Sequence, residues 1–214
     1  MSMYFNVSDI EIRGFYAGDA MREVADGLKR DTLKTIEIVN SDMVINNGDN
    51  EEWAKTIFEM DAVVPGDLGL LNMSGVTDKK FEKEVSSSVF IKMFLKYMNN
   101  HMKKIFIIAM GEYDLLNAKE RLKGYGEDNS IDGMSFDGLT GRSEEEIINV
   151  INAVEPDCIL SVLPSPKQEQ FIKSNKPYIN AGIWLGCGEV FLNSQGGNVK
   201  RSLLRIFKKD KNKL

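Results

Sequence analysis

Short hydrophobic runs recur along this chain, and stretches with apolar residues at helical spacing lie between them. This alternation constrains the fold more than any other feature. A brief apolar run bounded by turn residues is the length of a buried strand. A helical stretch after it supplies the crossover that a parallel neighbour requires. "DIEIRGF" (9–15) reads as a strand and 18–31 as a helix; "KTIEIVN" (34–40) is the next strand. Residues 50–60 place Trp53, Ile57 and Met60 on one helical face, before a short strand, 61–65, closed by Pro65. A helix over 86–100 leads into "KKIFIIAM" (103–110), and another runs from about 114 to 124. Ser143 and Glu146 have the spacing of a capping box. "DCILSVLP" follows, then a helix from "PKQE", then "YINAGIWLG". The expectation is an α/β, Rossmann-like, mainly parallel sheet with helices on both faces. It occupies a single compact domain over 1–198, with a basic tail over 199–214.

The 214 residues, 43% of them hydrophobic, can fill a core without a covalent staple. Cys158 and Cys187 sit in apolar runs; one bridge is compatible with this, and two buried reduced thiols are the reading adopted. The start of the chain lacks a charged segment followed by an apolar one, and no run of about 18 apolar residues occurs. A reduced, cytoplasmic setting is expected. The net charge of −5 is unevenly placed: residues 200–214 hold seven basic residues and one acidic, +6, so the other 199 carry −11. An acidic body without a basic–aromatic groove argues against nucleic acid. The tail, with Arg201, Arg205, Lys208 and Lys209 among Leu203, Leu204, Ile206 and Phe207, reads either as a solvated end or as an interfacial segment on anionic lipid. The lone His101 reads as a surface residue, and the eleven methionines as core filler.

In open parallel sheets ligands bind at the carboxyl ends of strands. Three such ends are rich in polar groups: "IVNSD" with Asn40 and Asp42, "VVPGDLGLL" with Asp67, and "LPSPKQEQ" with Lys167, Gln168 and Glu169. Gly111 and "GCGE" (186–189), with Glu189, close two plainer ones. Each has a structural explanation too. Pro-Lys-Gln-Glu is a good helix start with an acid in its first turn, Gly-Asp is a common turn pair, and Asn40 is a natural cap.

"SPKQE" at 165–169, after a hydrophobic strand, resembles the Pro-Lys-Gln-Glu turn of the WecG/TagA/CpsF family of bacterial glycosyltransferases. The flanking "SEEEIINVINAVEPDCILSVLPSPKQEQFIKSN" and the upstream "IVNSDMVINNGDNEEWAKTIFEMDAVVPGDLGLL" are similar to the family's blocks in the same order, so the likeness covers roughly 9–195. The resemblance implies a Rossmann-like domain that moves a sugar, with inversion and without a divalent-metal motif, from a UDP-activated donor to a lipid-linked acceptor. That work belongs to cell-envelope polysaccharide synthesis, with peripheral attachment at the inner face of the plasma membrane. No Asp-x-Asp occurs here, and no cofactor is implied. Asp67 takes the place of the catalytic base, with Asn40, Lys167, Gln168, Glu169 and Glu189 around the donor and the basic tail on the membrane. A homo-oligomer is compatible with all of this.

The chain departs from the family pattern at particular positions. Residues 65–67 are Pro-Gly-Asp where the family has Pro-Asp-Gly, and Ile38 stands where it has Thr. The family's loop arginine is absent from "NMSGVTDKKFEK", where Lys79 or Lys80 is the available substitute; Val190 stands where the family has a late Asp. Two readings follow: a hexosyltransferase with Asp67 as base and Asp42 or Glu189 next in line, or a catalytically degenerate nucleotide-sugar-binding or assembly subunit. A dinucleotide enzyme is disfavoured, because no G-x-G-x-x-G opens a helix after a strand.

Overall fold

The computed structural model of the protein describes residues 2–7, 10–29, 32–126, 130–137 and 141–193. Its strands are β1 (Ser2–Val7), β2 (Ile10–Phe15), β3 (Lys34–Val39), β4 (Ala62–Pro65), β5 (Ile105–Ala109), β6 (Ile131–Ser135), β7 (Cys158–Ser161) and β8 (Ile183–Gly186). Its helices are α1 (Ala17–Gly27), α2 (Ser41–Asn47), α3 (Glu51–Phe58), α4 (Leu68–Met73), α5 (Lys79–Ser86), α6 (Val89–Asn100), α7 (Glu112–Lys123), α8 (Glu144–Val154), α9 (Lys167–Asn175) and α10 (Gly188–Asn193). The strands form one sheet in the order β1-β2-β4-β3-β8-β7-β5-β6. The β1–β2 pair is antiparallel and all other pairings are parallel.

The central strands are buried on both faces, which explains why β5 and β8 read as unbroken apolar runs and β7 as one broken only at its last residue, Ser161. One face packs Trp184, Ile159, Phe106 and Ile108 under α3, α8 and α9. There Phe171 stacks on Trp184 at 5.7 Å and meets Phe136 edge-on at 5.9 Å. The other face packs Ile36, Ile107, Leu160 and Leu185 under α1, α6, α7 and α10. Ser143 and Glu146 do form a full capping box at the start of α8.

Three parts differ from the sequence expectation. β1 adds an antiparallel edge outside the βα alternation. The stretch after Asp67 is two short helices, α4 and α5, because Phe81 and Val85 bury against Leu71 in a small satellite core. β6, "IDGMS", pairs with β5 at the far edge, where partial exposure permits its polar composition. Both cysteines are buried free thiols. Among the described residues no helix is long and apolar enough to cross a membrane. The tail residues Arg201, Arg205, Lys208 and Lys209 lie outside the described residues.

Candidate functional site

The chain leaves β3 for its neighbour β4 on one side, and its later strands fill in from the other side, with β8 last beside β3. The switch therefore lies at β3 and β8, where an open parallel sheet leaves a crevice at its carboxyl edge. A crevice is found there. Its lining includes Asn40, Asp42, Asn46 and Asn47 from the end of β3 and α2, and Pro164, Ser165 and Gln168 from the turn after β7. Gly188 and Val190 of α10 close it. Two sequence blocks more than a hundred residues apart thus meet across two strands.

Asn40 caps α2, its Oδ1 accepting from Met43 N at 2.9 Å. This uses the side-chain oxygen and leaves the amide nitrogen for other partners. Asp42 is exposed in the first turn of α2 and lines the crevice. Asp67 caps α4, accepting from Leu70 N at 2.8 Å. It also accepts from Ser41 N at 3.1 Å and from Ser41 Oγ at 2.6 Å, so it is tied to the residue between Asn40 and Asp42. Gly66 packs against the Asn40 side chain, and a Cβ at Gly69 would strike Ser41 Oγ. The Pro-Gly-Asp turn is thus fitted to the β3 turn beside it.

The turn at 164–169 is built differently. Lys167 faces away from the crevice: its Nζ stands 3.6 Å from Glu144 and 4.5 Å above the Phe136 ring. Ser165 is a hub. Its Oγ accepts from Trp53 Nε1 at 3.0 Å and Asn47 Nδ2 at 3.2 Å, and donates to Glu169 Oε1 at 2.9 Å. Gln168 has no exposed surface and lies beneath the crevice floor, against Gly188. Its Nε2 donates to Glu37 Oε1 and, at 3.5 Å, to Glu169 Oε1; its Oε1 faces Ser161 Oγ at 3.4 Å.

Glu37 is a surprise from the middle of β3. It is fully buried beside Gly186 of β8, which in turn pairs with Ser161 of β7. Any Cβ at 186 would overlap the Glu37 carboxyl. Burial, and then the neighbouring Glu169 charge, hold the Glu37 carboxyl well above the usual carboxylate range. Trp184 Nε1, which meets no acceptor at hydrogen-bond geometry, and Gln168 act in the opposite direction. Burial likewise raises Glu169, against its own backbone N–H and Ser165, Trp53 and Gln168. Cys187 Sγ lies 3.1 Å from the Ser161 carbonyl, and burial pushes its thiol well up, which makes it a poor nucleophile.

Glu189 lies on α10, but its side chain lies outside the described residues. Of the two lysines in the former loop, Lys80 lies 4.3 Å over the Tyr16 ring and 3.9 Å from Glu84, one turn along α5. Sequence reasoning reached the 165–169 turn that holds Ser165 but gave no place at the site to Glu37, Ser161, Asn47 or Trp53.

Beyond Gly66 a second, apolar crevice opens between the sheet and α5, α6 and α10. Phe15, Ile38, Val64, Phe81, Phe90 and Phe191 line it, and Val190 borders both crevices. A third, at the carboxyl ends of β5 and β7, is lined by Met110, Tyr113, Asp114, Asn117, Val162, Pro164 and Leu192.

Comparison with known proteins gives a consistent picture. Residues 5–203 match the family described as "Glycosyl transferase WecG/TagA/CpsF family". An N-acetylglucosaminyldiphosphoundecaprenol N-acetyl-beta-D-mannosaminyltransferase of Bacillus spizizenii (strain W23) is 24% identical over 153 residues, 72% of this chain and 58% of that protein. The Bacillus subtilis (strain 168) protein of the same name is 22% identical over 167 residues, 78% of this chain and 64% of that protein. The matched stretches thus span less than two thirds of either relative.

Proposed function

The chain belongs to the WecG/TagA/CpsF family of glycosyltransferases, and from that premise we propose that it moves an N-acetylhexosamine-type sugar from a UDP-sugar to a lipid-linked acceptor. The observation that carries this reading is the crevice in which Asn40 meets the 164–168 turn, where the two sequence blocks resembling the family converge. N-acetylmannosamine and a diphosphate-linked N-acetylglucosaminyl polyprenol are the proposed sugar and acceptor, because the two similar Bacillus proteins are named for that pair.

In an inverting transfer a carboxylate takes the acceptor hydroxyl proton as the acceptor oxygen bonds to the anomeric carbon from the side opposite the diphosphate; the anomeric carbon–oxygen bond to the diphosphate breaks, and the diphosphate leaves with the electron pair. Asp67 is the proposed base. Its two bonds from Ser41 hold it beside the crevice residues Asn40 and Asp42. The crevice's amide side chains Asn40 and Asn46 are donors for the leaving diphosphate without recourse to a metal, while Asn47 spends its N–H groups on Met43 O and Ser165 Oγ. The apolar crevice past Gly66 suits the polyprenyl end of the acceptor, with the reacting sugar toward Asp67.

The tail, residues 199–214, is proposed to hold the protein on an anionic membrane. Seven basic residues at up to about 1 kcal/mol each suffice for weak attachment. Deleting 200–214 should abolish binding to anionic vesicles at low salt and leave UDP affinity unchanged; equal sedimentation of the truncated chain would rule the attachment out.

A second reading has its own support. Asp67 is engaged as a cap by Leu70 and Ser41, and the Pro-Gly-Asp order differs from the family's, as a binding subunit without turnover would permit. Titration with UDP beside a transfer assay with UDP-N-acetylmannosamine and the polyprenyl acceptor separates the two. Binding with turnover is expected. Binding alone would establish the degenerate subunit, and neither would remove both.

A further inference from the structure

Glu37 comes from the strand that ends at Asn40, yet it points under the helix that carries Gln168. Three observations isolate it. It is completely buried, and its Oε1 accepts from Gln168 Nε2. Its Oε2 meets no partner at hydrogen-bond geometry. The neighbouring strand carries a glycine, Gly186, at the one position where a side chain would displace it. A buried carboxyl is costly, and a leucine in this strand would fit the surrounding core more cheaply. The arrangement fixes the Gln168 amide instead. With Glu37 and Glu169 both taking its N–H groups, the amide nitrogen must face the two acids and the oxygen must face Ser161. Gly188, at φ +44°, lies against that amide without covering it with a side chain.

We propose that Glu37 is a positioning residue: through the Gln168 amide it locks the 164–168 turn and the Gly188 backbone into the wall of the donor crevice. This rests on the reading of the crevice as the donor site. The titratable groups facing it are Glu169 from α9 and Cys187 after β8; Ser161 and Trp184 are the polar neighbours from the sheet.

The test is a double-mutant cycle on UDP affinity in the full chain. Glu37→Leu and Gln168→Leu should each weaken UDP binding about tenfold, and together also about tenfold rather than about a hundredfold. Glu37→Gln keeps the acceptor oxygen and should bind UDP within about twofold of the wild type. Additive losses, or a Glu37→Leu protein that binds normally, would overturn the proposal. Should Glu37→Leu not fold, Gly186→Ala replaces it in the cycle, because its methyl group displaces the carboxyl while leaving it present. If the wild type binds no UDP, the donor reading fails and the Gln168 side-chain N–H signals decide the positioning. They should exchange slowly and sit at shifted frequencies in wild type and Glu37→Gln, and collapse to solvent-like values in Glu37→Leu or Gly186→Ala. Unchanged signals in those last two variants would refute the lock.

Discussion

The turn after β4 and the turn after β7 both carry acidic groups from a strand into a helix, yet they hold them in opposite ways. At the first, Asp67 is half-exposed and satisfied by short bonds to Ser41 and Leu70. At the second, Glu169 is buried and shares Gln168 with Glu37, and two of the four carboxylate oxygens of that pair find no partner. A half-exposed carboxylate can be reached by a substrate hydroxyl, as proton abstraction needs. A buried, crowded pair resists ionisation and fixes geometry instead. The first turn suits the proposed base, and the second suits a scaffold.

The largest effect that can break this contrast is on turnover. Asp67→Asn retains a capping oxygen for Leu70, so the fold should persist while transfer falls by about 10²–10⁴-fold. Asp42→Asn, which changes an exposed carboxylate of the same crevice, should have a much smaller effect. If the two outcomes were exchanged, Asp42 would be the base.

The scaffold should announce itself through pH. A carboxyl raised in the folded state holds its proton more tightly folded than unfolded. The stability it contributes is therefore complete below the unfolded value near pH 4.3 and declines as pH rises through the raised one. Glu37 and Glu169 are both raised by burial. Melting temperature should drop from pH 5 to pH 9, and Glu37→Gln should flatten that drop. Parallel curves for the two proteins would show that Glu37 ionises at no such cost.

Ser165→Ala removes the partner of Trp53, Asn47 and Glu169 together. Leaving such groups unsatisfied should cost about 2 kcal/mol, or roughly 4–8 °C in melting temperature, read by thermal and urea unfolding. Asn40 gives the smallest change and the finest distinction. Asn40→Asp keeps the cap on Met43 and should leave stability within about 0.5 kcal/mol, whereas Asn40→Ala should lose about 1 kcal/mol. Both remove the amide nitrogen and should weaken UDP binding, Asn40→Asp the more because it sets a carboxylate beside the diphosphate. If only Asn40→Ala weakens it, the residue acts as a cap alone.

Much of the sheet was legible because a buried parallel strand has no polar face to blur its signal, as in "IFIIA" of β5. The capping box of α8 was legible because it is written in two residues. β6 was not, since "IDGMS" pairs at an edge where apolar content is not demanded. The stretch between Pro65 and the helix beginning at 86 shows no clear element in the sequence because α4 and α5 bury only a few side chains each. At the site, Asn40, Asp67 and the 165–169 turn were visible as polar residues after apolar strands. Their partners were not. Glu37 alternates with isoleucines as a solvent-facing residue would, and only the packing of α9 over β3 and β8 reveals that it is inside. Lys167 was expected at the donor and instead pairs with Glu144, because the first turn of α9 aims it toward α8.

A crystal structure of the full chain soaked with UDP tests the central claim most directly. The account predicts density for the diphosphate between Asn40 and the 164–168 turn, at the β3–β8 switch. Density in the crevice lined by Met110, Tyr113 and Asn117 at the ends of β5 and β7, with the β3–β8 crevice empty, would contradict it.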